Sequence, residues 1–230
     1  MSIKAISVSK VYSGSINKGY KIDAVKNVSI DINEGSFTLI SGPTGSGKTT
    51  LLSLLAGIMY PTHGEIVYGN IHVSTSNDNT ISKFREQFIG YAPQNTLLIK
   101  ELTVLENVLS PNSFYKRSIK ELKSSAHYLL EKLKLINKKK FKPCELSGGE
   151  IKKVMVVRAL VKKPLFIFAD EPCSELDNES TDDIISLLYE QNRRGSAVII
   201  ASHNRMVLKK NADFYTMEKG QITEYKKGGI

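Results

Sequence analysis

Apolar and polar positions alternate over residues 3–11 and, in part, over 24–32, and this period-two spacing predicts two half-buried strands. Asn33-Glu34-Gly35 reads as the turn out of the second, and the run at 37–41 reads as a third strand. Residues 49–59 carry leucines at a spacing that places them on one buried helical face, and Pro61-Thr62-His63-Gly64 ends that helix. Short strands are expected at 65–68, near 71–73 and at 88–92. From about residue 95 to 163 the texture changes: 104–109, 119–135 and 151–161 have helical periodicity with many Lys and Glu. This is a helical lobe inserted into a strand-rich core. Strand patterns return at 165–169, 197–201, 214–217 and 222–225, with Gly220 as a tight turn between the last two. A helix over 181–193 begins with acidic residues and stops before Gly195, as the helix dipole and end-cap rules favour.

With 230 residues and 41% hydrophobic content, the chain has enough apolar material for one domain of two lobes. No apolar run reaches the roughly 18 residues of a membrane-spanning helix. The N-terminus alternates like a strand and lacks the apolar block of a signal peptide. A cytoplasmic protein is expected, and any membrane role needs a partner. The net charge of +9 comes largely from small lysine clusters such as Lys138-Lys139-Lys140 and Lys162-Lys163. They are scattered and lack interleaved aromatics, so they read as a solvated surface; no nucleic-acid partner is expected. Cys144 and Cys173 form no Cys-x-x-Cys and have no nearby His pair, which argues against a metal site or a disulfide framework. Cys173 follows Glu171-Pro172 and reads first as a packing residue, second as a redox switch.

Three segments carry chemistry. The first is Gly42-Pro43-Thr44-Gly45-Ser46-Gly47-Lys48-Thr49, with Thr50 following. Its glycines let consecutive backbone N–H groups converge on phosphate oxygens, and the helix behind it points its positive end at the same atoms. Lys48 supplies a point charge for terminal phosphates, and Thr49 a hydroxyl for Mg²⁺. The second is an apolar run, 165–169, that ends in Asp170 and Glu171. A buried parallel strand opens at its carboxyl end, where ligands bind. Asp170 there is suited to Mg²⁺, and Glu171 to polarising an attacking water. The third is Leu146-Ser147-Gly148-Gly149-Glu150. It is a capping box for the helix that follows, yet its two glycines also expose N–H groups at a positive helix end, which makes a second phosphate site.

In this order the three segments resemble the nucleotide-binding domain of ABC (ATP-binding cassette) transporters, and the resemblance covers nearly the whole chain. It implies an α/β fold: a P-loop NTPase with a RecA-like core, an antiparallel β subdomain and an inserted helical subdomain. The core would take about 1–94 and 164–230, and the helical subdomain about 95–163, of one domain spanning 1–230. The family pairs two domains head to tail, with ATP between the phosphate loop of one and the signature loop of the other. By resemblance, Ser147, Gly148 and Gly149 would bind the terminal phosphate held by the partner copy's phosphate loop. Gln94 looks like the Q-loop glutamine that touches Mg²⁺ or the attacking water. Ser174-Glu175-Leu176-Asp177 looks like the D-loop, His203 like the switch histidine, and Tyr12 like the aromatic that stacks on adenine, with Tyr20 as its rival.

What the resemblance implies is a Mg²⁺-dependent ATPase subunit that forms an ATP-dependent homodimer and powers a separate integral-membrane permease from the cytoplasmic face. The segment Thr103-Val104-Leu105-Glu106-Asn107-Val108 and the register of Gln94 look like the branch serving lipoprotein release, macrolide and peptide export, and the cell-division pair. The alternatives are a soluble ABC ATPase, such as an iron–sulfur assembly ATPase, or the ATPase of an importer. One departure stands out. Glu150 occupies the position where the family most often has Gln. Its place in the first helical turn favours a carboxylate, so the change is expected to be tolerated.

Overall fold

The structure is a computed structural model that describes residues 1–13, 21–73, 76–95, 97–111, 118–203 and 212–228. Two sheets organise it. Strands β1 (Ser2–Ser13), β2 (Lys21–Asn33), β4 (His63–Tyr68) and β5 (Ile71–His72) form an antiparallel sheet in the order β2-β1-β4-β5. Strands β3 (Phe37–Ser41), β6 (Ile89–Ala92), β7 (Phe166–Asp170), β8 (Ala197–Ser202), β9 (Asp213–Glu218) and β10 (Gln221–Lys226) form a second sheet, ordered β10-β9-β3-β8-β7-β6. Its pairs are parallel from β9 to β6, and only β10 runs antiparallel, as the second arm of the hairpin closed at Gly220.

The two sheets differ for a reason visible in the residues. Every position of β3, β7 and β8 is buried, because helices cover both faces of a parallel sheet. Alternate residues of these strands feed two separate cores. Ile167, Ala169, Val198 and Ile200 pack with helices α3 (Val104–Leu109), α4 (Ile119–Lys132), α5 (Gly148–Leu160) and α6 (Asn178–Arg193). Phe166, Phe168, Ile199 and Ala201 pack instead with α1 (Lys48–Leu55), α2 (Asp78–Phe88) and the antiparallel sheet. β1 and β2 are buried on one side only, and their pairing shifts register between Ala5 and Val11, next to Ser7 and Asn27 at φ 48°.

Several expected boundaries move. α1 stops at Leu55 instead of running to 59, because Gly57 takes φ +65° and lies against the Tyr68 hydroxyl. The strand expected from 88 begins at Ile89, since Phe88 is the last residue of α2. α2 itself was not expected. Asn77 caps it by accepting from Thr80 N at 2.9 Å, and Phe84 stacks on Tyr68 with ring centroids 4.3 Å apart. α4 ends at Lys132, short of 135, and Lys134 turns the chain at φ 61°. α6 starts at Asn178, three residues before the expected 181, because Asp177 is its N-cap and accepts from Ser180 N at 2.6 Å.

Two contacts set the position of the helices that lie between β6 and β7. Asn107 is fully buried, and its amide bonds Ile99 N at 2.8 Å and Ile99 O at 3.0 Å, which fixes the turn just before α3. The far end of α5 rests on β6 at Gly90, where an added Cβ would stand 2.2 Å from the Ala159 carbonyl oxygen. Among the described residues no helix is long and apolar enough to cross a membrane.

Candidate functional site

The loop between β3 and α1 is shaped by three glycines. A Cβ at Gly42 would stand 2.0 Å from Met217 O, and one at Gly47, which takes φ +101°, 2.1 Å from Ala24 O. Gly45 has φ +79° and open space around it. Lys48 folds back over this loop, its Nζ donating to Gly42 O at 2.8 Å and Pro43 O at 3.0 Å. Burial lowers the Lys48 pKa, against the pull of the nearby Glu171 and Asp170 carboxylates.

β7 delivers the two acids to this loop, as its apolar pattern predicts. Asp170 is buried, and neither carboxylate oxygen has a hydrogen-bond partner of regular geometry. Burial pushes its pKa up; the Thr49 hydroxyl pulls the other way, Glu171 adds to the rise, and Lys48 opposes it. A doubly orphaned buried carboxylate beside a Thr hydroxyl fits a hard, oxygen-seeking cation such as Mg²⁺. Glu171 takes φ +47°, a left-handed conformation that costs a non-glycine residue about 1–2 kcal/mol. Its surroundings hold it there. Glu171 N donates to Ala201 O at 2.8 Å, and its carboxylate accepts from Ser202 Oγ at 3.1 Å and from His203 N at 2.9 Å. His203 Nδ1 lies 2.9 Å from the same carboxylate oxygen.

A cleft of about 1400 Å³ opens over these groups. Of the residues expected from sequence, Thr44, Gly45, Gly47, Lys48, Thr49, Thr50, Gln94, Glu171 and His203 line it. Gly42, Pro43, Ser46 and Asp170 are not part of its lining; Ser46 and Asp170 are buried beside it, and Pro43 is exposed. Sequence reasoning missed the contribution of the antiparallel sheet, from which Lys21, Ile22 and Asp23 reach the cleft, and of Lys219 at the β9–β10 turn. Nothing in the alternation of β2 marks those residues, because their reach depends on how one sheet sits against the other.

Other expected residues lie elsewhere. Tyr12 does not line the cleft; it pairs across β1 and β2 with Ile22, and its hydroxyl donates to Met59 Sδ at 3.1 Å. Tyr20 lies outside the described residues. Asp177 caps α6, and its bonds with the Ser180 backbone and hydroxyl lower its pKa. Cys173 lines the cleft, but burial pushes its thiol up to about 12, so it stays protonated and unreactive.

Ser147, Gly148 and Gly149 form the first turn of α5 and are not part of the cleft of their own chain. The capping box forms in full: Ser147 Oγ accepts from Glu150 N at 3.3 Å, and Glu150 Oε2 from Ser147 N at 3.0 Å. The other Glu150 oxygen meets Lys138 Nζ at 2.5 Å. This bond, with the Ser147 contacts, lowers the Glu150 pKa. Gly148 has nothing within 4 Å of an added Cβ, whereas one on Gly149 would stand 3.0 Å from Leu176 Cδ2.

A glycine-rich phosphate loop at the head of a helix, beside a strand ending in two acids, defines a P-loop nucleoside triphosphatase. The ABC transporter family profile matches residues 25–174, and the chain belongs to that family. It is 38% identical over 224 residues to the lipoprotein-releasing system ATP-binding protein LolD of Buchnera aphidicola subsp. Acyrthosiphon pisum, covering 97% of each chain. The dimeric structure of MJ0796, a bacterial ABC transporter cassette, superposes with a TM-score of 0.90 at 34% identity, covering 98% of each chain. A post-hydrolysis dimer of the same cassette, bound to ADP and Pi, also gives 0.90, at 33% identity and 98% of each chain. The chain has the ABC ATPase fold and is an ATP-binding, ATP-hydrolysing subunit of an ABC transporter; the transporter reading holds over the soluble-ATPase alternative.

Proposed function

We propose that two copies of this chain close head to tail around two ATP molecules, and that closure drives a separate integral-membrane permease from the cytoplasmic face. The observation that carries this reading is the position of Ser147, Gly148 and Gly149. They present a glycine-rich helix start outside their own chain's cleft, as a site for a phosphate held by another copy requires. The dimeric state of the related cassette supports it.

Within each site, the backbone amides of 42–47 cradle the phosphates and Lys48 balances their charge. Thr49, Asp170 and Gln94 would hold Mg²⁺, which supplies charge neutralisation on the phosphate oxygens. Glu171 takes the proton of a water that attacks the terminal phosphorus as the bond to ADP breaks. His203 faces the terminal phosphate, and Tyr12, exposed beside the cleft-lining Ile22 to which it pairs, would stack on adenine at the edge of the cleft. The segment 95–163 is the helical subdomain that engages the permease, and 1–94 with 164–230 form the core. Similarity to a LolD protein supports the exporter or force-transmitting branch over an importer.

The test uses Glu171→Gln protein with ATP and Mg²⁺. Gel filtration should show a dimer that disperses when nucleotide is removed. A pull-down from detergent-solubilised native membranes should recover an integral-membrane protein. A variant that stays monomeric and hydrolyses ATP normally would overturn both the dimer and the role of Glu171. Recovery of soluble partners alone would overturn the permease assignment.

A further inference from the structure

The signature helix α5 touches the hydrolytic turn of its own chain through one side chain. Lys152 Nζ bonds both the carbonyl oxygen and the hydroxyl of Ser174. Ser174 in turn closes the loop back to Glu171: its N donates to Glu171 O at 3.2 Å and its Oγ to the same oxygen at 3.1 Å. Lys152 also borders a cavity of about 10 Å³ whose other walls include Gln94, Glu171 and Pro172. The signature helix, the Q-loop glutamine and the general base therefore border one small cavity, with Lys152 on its wall.

We propose that Lys152 is a positioning residue for Glu171. The backbone of Glu171 is left-handed, at φ +47°, and such a conformation persists only where its surroundings over-determine it. Inside the turn, Ser174 ties back to Glu171 O. Ala201, Ser202 and His203 hold Glu171 from the β8 side, and Lys152 adds a tie from the helix whose first turn is offered to the other copy's nucleotide. A Ser hydroxyl that donates to Glu171 O keeps its lone pairs for the ammonium, so the three groups form one continuous chain of hydrogen bonds. Losing the ammonium leaves both Ser174 acceptors without it and frees the turn to relax, which moves the carboxylate away from the water it must deprotonate. Because α5 also presents Ser147 to Gly149, the same lysine links phosphate capture in one site to the base of the other. This inference rests on the head-to-tail reading above.

The experiment measures steady-state ATPase activity of the full chain, wild type beside Lys152→Met, Lys152→Arg, Ser174→Ala and the Lys152→Met/Ser174→Ala double variant. Lys152→Met keeps the apolar stem and removes the charge. It should lower kcat about tenfold with KM for ATP within twofold, and reduce the Hill coefficient towards 1. Lys152→Arg should recover most of the rate. The double variant should lose little more than Lys152→Met alone, because both cut the same chain of bonds. A Lys152→Met enzyme with unchanged kcat and Hill coefficient overturns the proposal, as do losses that multiply in the double variant. If Lys152→Met fails to fold, Ser174→Ala alone decides: a fall in kcat at constant KM supports the role, and an unchanged kcat overturns it. Absence of ATP hydrolysis by the wild type would instead overturn the general reading, so the two failures are distinguishable.

Discussion

Nδ1 of His203 and Oε1 of Glu171 stand 2.9 Å apart, and the same oxygen also accepts from the His203 backbone N–H at 2.9 Å. With the proton on Nδ1, the ring donates to the carboxylate and leaves Nε2 free to face outwards. The carboxylate keeps its backbone and Ser202 contacts when the ring is removed. His203→Ala should therefore lower kcat at least tenfold while leaving Glu171 in place and Tm within about 2 °C of wild type. Single-turnover ATPase assays with a thermal melt check this. A large loss of Tm would show that the ring supports the fold.

Glu150 answers differently. Its bond to Lys138 spans two partly exposed groups, so the pair contributes about 0.5 kcal/mol. Gln can replace the carboxylate in the capping box. Glu150→Gln should keep ATPase activity within a few-fold and lower Tm at neutral pH by about 1–2 °C. The folded-state pKa of Glu150 is depressed, so the stabilisation is present above the ordinary carboxylate pKa and is lost as pH falls through the folded value. Melts of the two proteins across an acid series should converge at low pH.

Asp170 is a buried carboxylate with no hydrogen-bond partner of regular geometry, and burial disfavours its charged form more than Thr49 and Lys48 favour it. Asp170→Asn should raise the Tm of the nucleotide-free protein by a few degrees at neutral pH. It should also abolish the extra stabilisation that ATP with Mg²⁺ gives the wild type, and chelating Mg²⁺ should stop wild-type hydrolysis. Melts with and without Mg²⁺, run beside phosphate-release assays, test both halves.

Gly148 and Gly149 offer a paired comparison. An alanine at 148 meets nothing in its own chain, so it should leave stability unchanged or raise it by up to about 1 kcal/mol. Any loss of ATP-dependent dimerisation in Gly148→Ala then reports on what approaches from outside. Gly149→Ala presses on Leu176 and should cost some stability as well. Gel filtration of both variants in a Glu171→Gln background separates the effects. Dimerisation untouched by Gly148→Ala would show that no phosphate comes close to that turn.

The phosphate loop, the acid pair and the signature turn were legible because each is written in consecutive residues that carry their own local geometry. The capping box at Ser147 and Glu150 formed as its spacing predicts. Helix α2 was not legible: it opens with Asp78-Asn79-Thr80, poor helix formers, and its apolar face is only Ile81, Phe84 and Phe88, which needs Tyr68 opposite to complete it. The placement of Ile22 in the cleft, and the bond from Lys152 to Ser174, join segments that share no sequence pattern. Long-range contacts of this kind depend on how elements dock, which periodicity within one element does not encode.

The seat of Ala159 on Gly90 makes α5 a lever with a fulcrum at its far end. The helix has 13 residues and so an arm of about 20 Å, and a tilt of about 10° at the fulcrum would carry the signature turn by about 3 Å. The strand under that contact leads directly into Gln94, so the segment after β6 and the far end of α5 share one bearing surface. Any side chain at position 90 larger than hydrogen would lift the helix off its bearing before nucleotide arrived.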